Sequence, residues 1–95
     1  KGAIEGLTRA LAAELAPQIR VNAIAPSLSE TPLAKPLIDD ARMAAGIAQL
    51  HARQRLGRPG DLAEITAFLV SPRSDWITGQ VIGVDGGRSR LRTKG

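Results

Sequence analysis

The sequence predicts an α/β fold that forms part of a doubly wound parallel sheet. Two short segments with strand patterning, 19–25 and 80–84, are separated by a long, mostly helical stretch. A strand–helix–strand arrangement with so long a connection forms a right-handed parallel crossover. One edge of the first strand has no partner in this chain, and open edges favour pairing with another strand. We therefore expect half of a larger doubly wound sheet.

The first predicted element is an amphipathic helix over residues 3–16. Apolar residues recur there at helical spacing, and several alanines add helix propensity. The apolar residues at this spacing are Ile4, Leu7, Leu11 and Leu15. Pro17 ends the helix, because a residue that precedes proline is disfavoured in the α region.

The second predicted element is a short strand over residues 19–25, in which apolar and polar positions mostly alternate. Pro26 has no N–H to give to a ladder, so the strand is expected to stop there. A polar loop, 27–31, follows, and Thr31 before a proline is typical of a helix N-cap. Ligands bind at the carboxyl ends of the strands in such sheets, so this loop is the candidate site.

The middle of the chain is expected to be a helical lobe. Residues 33–56 are rich in alanine and have weak periodicity, which predicts one or two short helices interrupted by Pro36 and Gly46. A turn at 57–61 precedes a third helix, which ends at 71–72. The apolar face of that helix carries Leu62, Ile65, Phe68 and Leu69.

The composition limits the kinds of site that the chain can build. There is no cysteine, so there is no disulfide or thiolate metal site, and this fits a cytoplasmic protein. His51 is the single histidine and cannot assemble a metal site alone; we expect it to face solvent on a helix. No apolar run approaches the roughly 18 residues of a membrane span. The sequence starts at Lys1 without methionine, from which we expect a truncated chain.

The net charge of +4 suggests a nucleic-acid partner, but its distribution argues against one. The tail, residues 88–95, holds four basic residues and no acidic residue. Residues 1–87 balance at nine basic and nine acidic residues, and we expect them to form one domain. The tail is expected to be disordered. With no tyrosine, one phenylalanine and one tryptophan, the chain offers no stacking platform for bases.

Four segments, in the same order and at family spacing, resemble the C-terminal third of classical short-chain dehydrogenases/reductases. These segments are residues 1–16, 19–26, 55–64 and 76–87. The first resembles the helix that begins at the lysine of the family's Tyr-x-x-x-Lys motif. The last, Trp-Ile-Thr-Gly-Gln-Val-Ile-Gly-Val-Asp-Gly-Gly, resembles the family's final strand. The resemblance implies that residues 1–87 are the C-terminal part of a Rossmann-like NAD(P)-binding domain.

The resemblance implies that Lys1 is the catalytic lysine. In the family, this ammonium binds the nicotinamide ribose hydroxyls and lowers the pKa of a tyrosine four residues earlier. That tyrosine acts as general acid and base on the alcohol or carbonyl. A nearby cation favours the phenolate, because an unperturbed tyrosine titrates near pH 10.

The resemblance also assigns the loop after the first strand to the cofactor. Pro26 and Ser27 are expected to form one wall of the nicotinamide pocket. The backbone at Ser29 would hold the carboxamide, and the Thr31 hydroxyl would reach the adjacent phosphate, which a helix start also favours. The family usually has glycine where this chain has Ser27, and a side chain there could narrow the pocket or shift the loop.

The implied function is that of an NAD(P)-dependent oxidoreductase acting on a small-molecule alcohol or ketone, in a cytoplasmic homo-oligomer. In the family, the remaining tetrad residues and the glycine-rich dinucleotide loop precede the position of Lys1, so the 95-residue chain alone is expected to be inactive. The substrate and the choice between NAD and NADP stay open. The alternative is a non-catalytic association module that retains the family's subunit-interface helices.

Overall fold

The computed structural model describes residues 2–27 and 35–92. The elements are α1 (Gly2–Leu15), β1 (Ala23–Pro26), α2 (Lys35–Ile38), α3 (Ala41–Gln49), α4 (Pro59–Val70), a 3-10 turn (Pro72–Ser74) and β2 (Val81–Val84). β1 and β2 pair in a two-stranded parallel sheet. The predicted order of helix, strand, helical lobe, helix and strand is confirmed, and so is the partial Rossmann-like α/β class.

The first strand begins later than predicted and includes the proline expected to stop it. The prediction was residues 19–25, whereas β1 runs from Ala23 to Pro26. The N–H of Ile19 donates to the Leu15 carbonyl at 3.0 Å, so the chain is still turning where a strand was expected. The N–H of Val21 donates to the Thr78 hydroxyl at 3.1 Å, and a side chain therefore takes the place of a ladder partner.

The helical lobe is interrupted at a different place from the one predicted. Gly46 lies inside α3, so the prediction that it breaks the helix was wrong. The interruption falls just before α3, where the Asp40 carboxylate accepts the Met43 N–H at 3.1 Å. An aspartate N-cap of this kind satisfies one of the orphan amides at a helix start and thus fixes where α3 begins.

Helix α4 begins within the turn predicted at 57–61. Pro59 occupies the first turn, where its missing N–H costs nothing. The Asp61 carboxylate accepts the Arg58 N–H at 2.7 Å and so caps the helix start. The helix ends at Val70 as predicted, and the Ser71 hydroxyl then caps the 3-10 turn.

The chain divides into two compact units. Unit 1 comprises residues 1–25 and 64–82, and unit 2 comprises residues 26–63 and 83–95. Within unit 1, the Arg20 guanidinium donates to three backbone carbonyls. The acceptors, with their distances, are Leu69 at 2.9 Å, Ser71 at 3.2 Å and Ile77 at 3.2 Å. The Asn22 side chain donates to the Ile77 carbonyl and accepts the Gln80 N–H, each at 3.1 Å. Arg20 and Asn22, which precede β1, therefore fix the position of the segment that precedes β2.

The described residues bury little apolar surface. Ala12 and Leu56 are the hydrophobic side chains that are buried there. The apolar stripe predicted on α1 is largely exposed, with Leu7 at 56% and Ile4 at 54%. Trp76 is 97% exposed. Burial of so little apolar surface offsets only a small part of the conformational entropy lost on folding. Burial of the α1 stripe and Trp76 against other apolar groups would add to the stability. None of the described helices has the length and apolar character needed to cross a membrane.

The segment after β2 is a hydrogen-bonded turn. The Asp85 carboxylate accepts the Gly87 N–H at 2.9 Å, and the Leu91 N–H donates to the Gly87 carbonyl at 3.0 Å. The second of these bonds crosses the boundary at 87/88 that was expected between the domain and a disordered tail. Residues 93–95 of that tail lie outside the described residues.

Replacement of Gly87 by alanine is expected to destabilise the protein by about 2 kcal/mol. Gly87 has a φ of 89°, and an added Cβ would lie 2.8 Å from the Ala52 Cβ and 2.9 Å from the Leu91 Cδ1. Gly46→Ala is the matched control, because no atom lies within 4 Å of its added Cβ inside helix α3. It should stabilise by up to about 1 kcal/mol. Urea unfolding that ranked the two variants in the opposite order would contradict this account.

Candidate functional site

The structure describes two of the residues predicted to contact the cofactor. Pro26 is the last residue of β1, and its side chain is exposed at the carboxyl end of the strand. Ser27 follows directly and is partly buried. Lys1, Ser29 and Thr31 lie outside the described residues, so their assigned roles remain predictions.

The Ser27 side chain contacts a histidine that the sequence did not mark as part of the site. Ser27 Oγ lies 2.8 Å from His51 Nε2. His51 was expected to face solvent on a helix, and this was wrong, because its side chain is only 2% exposed. The residue lies just beyond the end of α3, where its N–H donates to the Ala48 carbonyl at 3.1 Å. His51 therefore lies outside the helix on which it was expected.

The second ring nitrogen of His51 fixes the direction of the hydrogen bond. His51 Nδ1 lies 2.9 Å from the Ile47 carbonyl oxygen. A carbonyl oxygen can only accept, so Nδ1 carries the proton. In the neutral ring Nε2 is then an acceptor, and the Ser27 hydroxyl donates to it. Both polar atoms of the imidazole are therefore satisfied inside unit 2.

A cavity of about 520 Å³ opens within unit 2 beside this pair. Ser27 and His51 contribute to its wall, together with the turn that follows β2. The exposed residues Arg53 and Arg90 also line it, so the wall combines hydroxyl, imidazole and guanidinium groups. Such groups can hydrogen-bond a small polar ligand next to the carboxyl end of β1. No group of three or more potential metal ligands occurs within residues 2–27 and 35–92.

An ion pair at the start of α4 stabilises another part of the cavity wall. Arg55 donates to both carboxylate oxygens of Asp61, with Nη1–Oδ2 at 2.8 Å and Nη2–Oδ1 at 3.1 Å. Arg55 also donates to the Leu56 carbonyl at 2.9 Å. The hydrogen bond from Arg55, followed by that from the Arg58 N–H, lowers the pKa of Asp61 to about 2. The pair links the segment before α4 to the first turn of the helix.

The Asp61→Asn variant is expected to be less stable than the unsubstituted protein at pH 7 and equally stable near pH 2. The folded state lowers the pKa of this carboxyl below its usual unfolded value of about 3.9. Its stabilising contribution is therefore complete above about pH 4 and is lost as the pH falls towards 2. Urea unfolding of both proteins at several pH values measures this difference.

Asp39→Asn is the matched control for that experiment. Asp39 forms an ion pair with Lys35 at 3.2 Å, and the Asp39 side chain is 61% exposed. Exposed pairs of this kind contribute little to stability. A pH dependence of the Asp39→Asn difference as large as that of Asp61→Asn would contradict the assignment to the Arg55–Asp61 pair.

Comparisons with known proteins agree with the sequence resemblance. A family model described as Enoyl-(Acyl carrier protein) reductase matches residues 1–89. The curated relative Short-chain dehydrogenase/reductase SDRA from Arabidopsis thaliana is 46% identical over 92 residues, which are 96% of this chain and 36% of the relative. The 3-oxoacyl-[acyl-carrier-protein] reductase FabG from Thermotoga maritima is 43% identical over 88 residues, which are 92% of this chain and 35% of the relative.

A solved structure also matches the fold. The gluconate 5-dehydrogenase from Burkholderia cenocepacia, in complex with NADP and tartrate, superposes with a TM-score of 0.85 and is 34% identical. The match covers 97% of this chain and 36% of that protein. The chain therefore spans about a third of the length of the relatives that it matches, 36% of the Arabidopsis protein and 35% of the Thermotoga protein.

Proposed function

Because the chain belongs to the classical short-chain dehydrogenase/reductase family, we propose that it supplies the C-terminal part of an NAD(P)-dependent oxidoreductase. The reaction is hydride transfer between the nicotinamide and a small alcohol or ketone. One observation carries the proposal: Pro26 and Ser27 lie at the carboxyl end of a strand in a parallel sheet. That is where doubly wound folds bind dinucleotides.

The described residues fit a nicotinamide at this position. Pro26 presents an exposed apolar ring at the strand end, against which a flat heterocycle can pack. The Ser27 hydroxyl donates to His51, so it brings no unsatisfied polar group to that surface. When bound, the cofactor supplies the hydride chemistry, and the protein contributes binding and orientation.

The remaining roles follow the family pattern, residue by residue. The Lys1 ammonium binds the ribose hydroxyls and favours the phenolate of the tyrosine expected four residues earlier. The Ser29 backbone holds the carboxamide and the Thr31 hydroxyl reaches the neighbouring phosphate. The protein around these residues is proposed to be a cytoplasmic homo-oligomer.

The test uses the extended chain, meaning residues 1–95 together with whatever the same reading frame encodes upstream of Lys1. NAD(P)H oxidation is followed at 340 nm with a panel of small ketones, and the reverse reaction with the matching alcohols. We expect turnover by the extended chain and none by residues 1–95 alone, because the dinucleotide loop and the proton-transferring tyrosine are expected upstream. Turnover by residues 1–95 alone would contradict the proposal that residues upstream of Lys1 supply the dinucleotide loop and the proton-transferring tyrosine.

The exposed apolar surface favours one other function. The α1 stripe and Trp76 are uncovered in the described part of the chain, and exposed apolar side chains of this kind are available for association. A non-catalytic association module would use these surfaces alone. An extended chain that oligomerises in sedimentation experiments but binds neither NADH nor NADPH would favour the association module over the oxidoreductase.

A further inference from the structure

The carboxyl end of β1 is followed by a serine whose side chain contacts a buried histidine. Ser27 directly follows the last residue of β1 and is partly buried. A serine there reduces backbone freedom and adds a hydroxyl that needs a partner when it is partly buried. His51 provides that partner, with Ser27 Oγ and His51 Nε2 2.8 Å apart.

The histidine is itself held rigidly. Its Nδ1–H donates to the Ile47 carbonyl at 2.9 Å, so the ring is tied to the last turn of α3. Its own carbonyl accepts the Gln54 N–H at 2.9 Å. The Arg53 N–H donates to the Gly86 carbonyl at 3.0 Å, which ties the same segment to the turn after β2. A ring that is 2% exposed and anchored in this way has little freedom to follow a moving partner.

We infer that the Ser27–His51 hydrogen bond sets the position of the backbone at the carboxyl end of β1, and that His51 is a positioning residue for the nicotinamide. The inference rests on the proposed function. Glycine at this position would leave the strand end free to adapt to the cofactor. In this chain, the anchored imidazole restricts the strand end through its hydrogen bond with the serine hydroxyl. Loss of that bond would let the backbone shift, and small shifts of groups next to the nicotinamide weaken binding and slow the reaction.

The test measures cofactor binding directly in the extended chain. The dissociation constant of the reduced cofactor is obtained from nicotinamide fluorescence, and KM and kcat are obtained from turnover. Ser27→Ala and His51→Phe each remove the hydrogen bond while nearly keeping shape. Each is expected to raise the cofactor's dissociation constant and KM about fivefold, the equivalent of one hydrogen bond, with kcat changed less than about twofold.

Two further variants distinguish a positioning role of His51 from a role in stability alone: the double variant Ser27→Ala/His51→Phe and the conservative variant His51→Gln. The double variant should bind the cofactor no more weakly than His51→Phe alone, because both changes remove one interaction. His51→Gln keeps an acceptor within reach of the Ser27 hydroxyl and should restore binding to within about twofold of the unsubstituted chain. Gln49→Ala, an exposed change two residues away, is the control and should leave the dissociation constant unchanged.

Unchanged cofactor binding in Ser27→Ala would overturn the inference, and this small change keeps the test valid if His51→Phe does not fold. A His51→Gln variant that binds the cofactor as weakly as His51→Phe would also overturn it. If the unsubstituted extended chain binds no cofactor, the proposed function itself fails and this inference fails with it.

Discussion

Replacement of Lys1 by methionine in the extended chain is expected to lower kcat/KM by about 100-fold or more. Methionine keeps much of the side-chain length and removes the ammonium. Without that cation, the pKa of the neighbouring tyrosine should return towards its ordinary value of about 10. The limb of the pH–rate profile that reports the tyrosine should therefore move to higher pH, which a simple loss of stability would not produce.

Lys35→Met is the control for this substitution. Lys35 is the first residue of α2, with its side chain 71% exposed and paired with Asp39. Its replacement should leave kcat/KM and the pH–rate profile unchanged. Equal activity of Lys1→Met and Lys35→Met would show that Lys1 has no catalytic role.

Replacement of Arg20 by methionine is expected to destabilise the protein by about 3 kcal/mol. The guanidinium of this partly buried residue donates to three carbonyls in unit 1, the shortest bond being 2.9 Å to Leu69. Leu69 lies in the last turn of α4, where a cation also interacts favourably with the helix dipole. Urea unfolding measures the loss.

Two further variants show which property of Arg20 matters. Arg20→Lys keeps the charge, but a lysine has a single ammonium nitrogen where the guanidinium has two terminal nitrogens that donate. It should therefore recover only part of the stability lost in Arg20→Met. Arg9→Met removes an exposed ion pair with Glu5 at 2.9 Å and should cost less than about 1 kcal/mol. A loss in Arg20→Met no larger than that in Arg9→Met would contradict the assigned role.

Local patterns predicted the elements whose cause is local. The periodicity of residues 3–16 predicted α1, and the strand patterning of residues 80–84 predicted β2 to within one residue. The beginning of β1 was missed, because Val21 donates to Thr78, a residue 57 positions away in the chain. Alternation of side chains cannot reveal which backbone groups have partners so distant.

The candidate site was predicted only in part, for a similar reason. The end of β1 was predicted to within one residue, because the effect of Pro26 is readable from the sequence. The cofactor roles assigned to the loop that follows stay predictions. The burial of His51 was not, since it depends on a turn after α3 and on a hydroxyl 24 positions earlier. The available signal was Ser27 itself, because a serine in place of glycine requires a hydrogen-bond partner.

The most direct test of the central claim is to sequence the reading frame upstream of Lys1. The claim is that this chain supplies the C-terminal part of a nicotinamide-dependent reductase or dehydrogenase. It predicts a tyrosine codon four positions before Lys1 and a glycine-rich dinucleotide loop further upstream. A stop codon immediately upstream of Lys1, or an unrelated sequence without that tyrosine, would contradict the claim.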